Sequence, residues 1–126
     1  MLTRVLLADG CVFTRDGLQV FLEQHQIEIV GQAHAWETLA CLIEQNVPHI
    51  VLFGCHLPGL SGPADFADKQ KSIAAPARWL VIGERNTLET AHAWLEVGTD
   101  GYVWQGDTHI LLLAAIQKVQ QGLGWF

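Results

Sequence analysis

The sequence runs to 126 residues, half of them hydrophobic and 16% charged, which suits one domain with a single buried core and excludes a disordered chain. Seven Lys and Arg against thirteen Asp and Glu leave a formal charge of −6, with no basic run, so the clustered positive surface that a nucleic-acid backbone needs is missing. No apolar run reaches the roughly 20 residues of a membrane span, and three cysteines without a CxxC spacing argue against a secreted disulfide framework and for the cytoplasm.

The N-terminal MLTRVLLADG reads as a first strand, RVLLA at 4–8, rather than as a signal peptide. Leu18, Phe21, Leu22 and His25 then recur at helical spacing. A second strand, IEIVGQA at 27–33, precedes a helix marked by Leu39, Leu42 and Ile43, and a third, HIVLF at 49–53, runs into a Pro-Gly loop at 58 and 59. A less regular helix is predicted over 63–73, followed by the strand RWLVI at 78–82. Leu88, Ala91, Trp94 and Leu95 mark a fourth helix, with Asn86 as its expected N-cap and Glu89 three residues on. The strand GYVW at 101–104 leads to a fifth helix, predicted from Thr108 as N-cap through Ile110, Leu111, Leu113, Ala114 and Val119 to Gly122. Strict alternation of this kind predicts right-handed crossovers and an α/β, doubly wound parallel sheet with helices on both faces. Ligands of such sheets lie beyond the carboxyl ends of the strands. The residues just after strands one, three, four and five are therefore the candidate site.

ADG at 8–10, LPGLSG at 57–62, LVIG at 80–83 and GTDGYVWQGD at 98–107, in that order and spacing, make the chain resemble the receiver domain of bacterial two-component response regulators. This is the CheY-like, or flavodoxin-like, fold, and the resemblance is nearest to the LuxR/NarL type of transcription regulator. It covers essentially the whole chain and is most specific in the G-x-x-G-Y segment at 98–102 together with the Pro-Gly loop. It implies a (βα)5 sheet in the strand order 2-1-3-4-5, residues 1–126 as a single receiver-like domain, and any helix-turn-helix output domain beyond residue 126.

A working receiver carries an acidic pair after strand one, which holds Mg²⁺ through carboxylate oxygens, and an Asp at the end of strand three as the nucleophile that accepts the phosphoryl group. A Ser or Thr after strand four and a Lys after strand five bind the new phosphate and neutralise its charge. The matching positions here are Asp9, Gly10, Gly54, Gly83 and Gln105, so only the first acid survives. The losses agree with one another, because a Lys left in a pocket stripped of its acids would be a charge without a partner. The resemblance thus implies no catalytic residue, no enzyme activity, no cofactor and loss of Mg²⁺ binding. What remains is a non-catalytic, phosphorylation-independent module controlling an output domain through dimerisation, protein contacts or a small ligand. Gly10, Gly54 and Gly83 are expected to enlarge the pocket for such a ligand. The alternative is a conventional phospho-accepting receiver using a non-standard carboxylate, for which Asp9 is the candidate.

Tyr102 matches the aromatic that changes rotamer in many receivers, and Trp104 points to the same side of its strand. With Ala91 and Leu95 they form either a candidate interface on the face of helix four, strand five and helix five, or simply packed side chains. The apolar fifth helix adds to the expectation of a homodimer. His56 beside Cys55, near Asp9 and Cys11, raises a metal site, but His25, His34, His49, His92 and His109 are scattered over separate elements, and no metal site is expected. A redox link between Cys11 and Cys55 stands against the simpler alternative of two small buried thiols. Ser61 in GLSG is not a nucleophile elbow, and neither a P-loop nor a G-x-G-x-x-G is present.

Overall fold

A computed structural model describes residues 2–107 and 109–126. Thr108, expected as the cap of the fifth helix, lies outside the described residues. The elements are β1 (Thr3–Ala8), α1 (Val12–Gln24), β2 (Ile27–Ala33), α2 (Trp36–Asn46), β3 (Ile50–Gly54), α3 (Pro63–Lys69) with a 3₁₀ turn at Gln70–Ser72, β4 (Arg78–Gly83), α4 (Leu88–Glu96), β5 (Gly101–Trp104) and α5 (His109–Gln120). The five strands pair in parallel in the order β2-β1-β3-β4-β5.

Central β3 is buried at every residue, which is why its sequence shows no polar alternation. Side-chain alternation sends its residues to two cores. Ile50 and Leu52 meet Val5, Leu7, Leu80 and Val103 beneath Leu22 of α1 and Leu112, Ala115, Ile116 and Val119 of α5. Val51 and Phe53 face the other way, where Leu39 and Ile43 of α2, Phe66 of α3 and Trp94 of α4 close over Trp79, Val81 and Tyr102. That second core is aromatic: the Phe53 and Phe66 rings stack at 5.4 Å between centroids, Trp36 stacks on Trp79 at 5.8 Å, and Trp94 meets Phe53 edge-on at 5.7 Å. Offset and edge-on contacts of this kind add about 0.5–1.5 kcal/mol each to the burial itself.

Two sequence expectations are corrected at helix ends. The N-cap of α4 is Thr87, not Asn86: Thr87 is extended (φ −126°, ψ 147°) and its side chain accepts the Thr90 N–H at 3.3 Å, so the helix starts one residue later and the hydroxyl takes the capping role. The segment expected to be helical over 63–73 is an α-helix only to Lys69. At the other end of α4, Thr99 is buried and donates its hydroxyl to the Trp94 carbonyl at 2.7 Å, satisfying a helix-end acceptor inside the protein.

Candidate functional site

The carboxyl ends of β1, β3, β4 and β5 converge on one crevice, a cavity of about 650 Å³ whose walls include Asp9, Gly54, Cys55, Glu84, Trp104 and Gln105. The sequence therefore identified the right strand ends. What stands there is not the hollow that three glycines suggest, because each glycine's missing side chain is replaced by a neighbour. At Gly54 a Cβ would run into the Asp9 carboxylate, through Oδ2. At Gly83 it would run into the phenol of Tyr102, and at Gly10 it would press on the Pro58 ring, 3.0 Å from Cδ. Gly10 and Gly83 do not line the cavity at all. The expectation that these glycines enlarge the pocket is corrected by close packing, which leaves few voids that a mobile side chain can reach unfilled.

Asp9 is held in this position by its own strand end. Its N–H donates to the Ala33 carbonyl at 3.0 Å, its carbonyl accepts from Arg15 Nη1 at 2.6 Å, and its Oδ1 accepts the Cys11 N–H at 2.8 Å. Arg15 also donates from Nε to Gln32 Oε1 at 2.9 Å, so its hydrogen bonds go to a carbonyl and an amide. Among the described residues no group of three or more His, Cys, Asp or Glu side chains is arranged to hold a metal ion. Glu84, on the crevice wall, contacts His56 Nε2 through Oε2 at 3.0 Å, and both side chains are well exposed. A hard cation such as Mg²⁺ takes octahedral oxygen ligands; the crevice wall carries the carboxylates of Asp9, Glu84 and Asp107, but each is engaged elsewhere, Asp9 by the Cys11 N–H, Glu84 by His56 and Asp107 by the Trp104 N–H at 3.2 Å, a poor fit to such an ion.

The roof of the crevice is the loop after β4, and two aromatic side chains of β5 hold it. The Tyr102 hydroxyl donates to the Arg85 carbonyl at 2.6 Å, and Trp104 Nε1 donates to the Glu84 carbonyl at 3.0 Å. Burial is the main influence on the Tyr102 phenol and raises its pKa, so it remains a neutral donor at physiological pH. Tyr102 is 7% exposed and belongs to the aromatic core. The candidate interface of Tyr102, Trp104, Ala91 and Leu95 is therefore divided. Tyr102 and Trp104 turn to the crevice roof, while Ala91 and Leu95 line a separate groove on α4 with Leu88 and Phe126.

Cys11 and Cys55 are both free thiols. Cys11, exposed at the N-terminus of α1, has its pKa lowered by hydrogen bonds from Thr14 and Phe13, whereas burial raises that of Cys55. Gln105 is exposed, and its N–H donates to the Gly83 carbonyl at 2.8 Å. Sequence reasoning missed Glu84; the position after strand four was in view, but only its glycine was weighed.

No family model matches the chain. Among curated proteins it is 24% identical over 120 residues to the probable transcriptional regulatory protein NarL of Mycobacterium tuberculosis, an alignment covering 94% of this chain and 55% of that protein. The chain thus spans about half the length of the curated relatives it matches. Among solved structures, a LuxR-family two-component response regulator from Aurantimonas sp. superposes with a TM-score of 0.88 at 23% identity, covering 100% of this chain and 90% of that one. RcsB from Salmonella enterica serovar Typhimurium, solved bound to the promoter rprA in the presence of the phosphomimetic BeF3⁻, superposes with a TM-score of 0.82 at 19% identity, covering 98% and 63%. Element order, strand order and these superpositions establish the CheY-like receiver fold.

Proposed function

We propose that the chain is a receiver domain of the LuxR/NarL type that signals without aspartyl phosphorylation, a non-catalytic module whose contacts control an output unit elsewhere in the protein. The observation that carries this reading is the Asp9 carboxylate lying where a side chain at position 54 would begin. The one retained acid fills the acceptor's place instead of waiting beside it for a cation. Tyr102 supports the same view, since its phenol takes the space of a side chain at position 83 and is bonded to the crevice roof. An aromatic held in this way has its position set by packing, with no phosphate needed to draw it inward.

The net charge of −6 leaves any DNA contact to an attached output domain, in keeping with a promoter-bound relative. Homodimerisation and protein contacts are the proposed means of control, and the cavity leaves room for a small-molecule effector. The test is incubation with acetyl phosphate and Mg²⁺, followed by intact-mass measurement, with a parallel titration by beryllofluoride monitored through the tryptophans. The expected result is no added phosphate and no saturable spectral change. A stoichiometric gain of one phosphate, mapped to Asp9, would overturn the proposal in favour of a receiver that uses a displaced carboxylate.

A further inference from the structure

The last residues of the chain do something the resemblance does not account for. The end of α5 is a left-handed glycine turn: Gly122 has φ +85°, its N–H donates to the Val119 carbonyl at 3.0 Å, and the Leu123 N–H donates to the Lys118 carbonyl at 2.9 Å. This pair of bonds reverses the chain sharply and lays it along the outer edge of β5. There Trp125 forms a parallel bridge with Gly101: the Tyr102 N–H donates to the Trp125 carbonyl at 2.7 Å and the Trp125 N–H to the Asp100 carbonyl at 3.3 Å. Trp125 packs on the core beneath α5, and Phe126 enters the α4 groove beside Leu88, Ala91 and Leu95. The absent side chain of Gly101 allows this approach, since a Cβ there would lie 3.1 Å from the Trp125 carbonyl oxygen.

We propose that residues 123–126 are an intramolecular latch, closing the β5 edge against a second copy of this chain, with Phe126 forming one wall of the adjoining α4 groove. A bare edge strand is a template for pairing with another strand, and two identical edges can pair across a two-fold axis with each supplying the same groups. The groove points to the same occupant. Leu88 is 87% exposed and Leu95 44% exposed with the latch closed, so releasing four residues joins an existing apolar strip to a free strand edge. Gly122 and Gly124 give the segment its hinge.

The experiment compares the 126-residue chain with Trp125→Ala/Phe126→Ala, without any phosphoryl donor, by hydrogen exchange at the Tyr102 amide and by sedimentation over a concentration series. The expected result is exchange at Tyr102 faster by about tenfold or more, with concentration-dependent dimerisation in the variant where the unaltered chain is monomeric. Adding Leu95→Glu to the variant should return it to a monomer while Tyr102 still exchanges quickly. Phe126→Ala alone, which leaves the core untouched, should show the same change in smaller degree and guards against loss of folding. Unchanged exchange at Tyr102, or fast exchange without association, or association indifferent to Leu95→Glu, overturns the latch. None of these outcomes bears on phosphoryl acceptance, so the two proposals fail separately.

Discussion

The aromatic face of the sheet and the strand ends that border the crevice are both close-packed, by opposite means. Under α2, α3 and α4 the space is filled by rings that belong there, Phe53, Phe66, Trp79 and Trp94. At those strand ends, positions 54 and 83 are glycines, and the space their side chains would take is filled by neighbours reaching in, Asp9 at Gly54 and Tyr102 at Gly83. The contrast separates two kinds of sensitivity. On the aromatic face the cost comes from removing atoms; at the crevice it comes from adding them.

The largest effect is expected from Phe66→Ala, which leaves a cavity among the rings of Phe53, Trp79 and Trp94 and should lower stability by about 4 kcal/mol in urea unfolding. A cost below about 1 kcal/mol would mean that this face is loosely packed and would remove the contrast. Gly83→Ser should cost about 3 kcal/mol through its collision with Tyr102. In a Tyr102→Ala background the same change should cost far less, since the two residues compete for one volume. Equal costs in both backgrounds would show that the clash is not with Tyr102.

Gly54→Asp sharpens the comparison electrostatically. The new side chain must displace the Asp9 carboxylate or share a proton with it, and two adjacent carboxylates raise one pKa. A folded-state pKa above the unfolded value favours the native state at low pH and loses that benefit as pH rises through the shifted value. The variant should therefore be about 1–2 kcal/mol less stable than the parent at pH 7, with a deficit that shrinks towards pH 4. A deficit independent of pH would assign the cost to sterics alone. The smallest effect is expected away from both regions. Asp65, whose pKa is lowered chiefly by its hydrogen bond with Lys69 and then by the Ser61 N–H, contributes stability above the unfolded carboxylate pKa that is lost as pH falls through the folded one. Asp65→Asn should flatten the acid limb of the stability curve slightly and leave neutral behaviour nearly unchanged.

Much of the architecture could be read from the chain. The nearly continuous apolar runs at 4–8, 49–53 and 78–82 have that pattern because they are covered on both faces, and a short strand in that environment has no polar side to show. The strand ends led to the crevice, since parallel topology places the ends of β1, β3, β4 and β5 together regardless of their side chains. The cap of α4 was misplaced because Asn86 and Thr87 both carry a side-chain oxygen able to accept a hydrogen bond at a helix start, and the choice depends on which residue is extended at the entry. Whether Tyr102 was interface or packed side chain stayed open in the sequence, because strand alternation gives the side of the sheet but not the depth of cover; the structure buries it to 7% exposure.

The sequence by itself determined the fold class, the five parallel strands and the glycines at positions 10, 54 and 83, all of which depend on local periodicity and on which atoms each residue owns. Only the tertiary structure decided what became of the space those glycines leave, that Asp9, Tyr102 and Pro58 fill it, and that Trp125 joins the edge of β5. Volume belongs to no single position, and which side chain claims it depends on neighbours far away along the chain and adjacent only after folding.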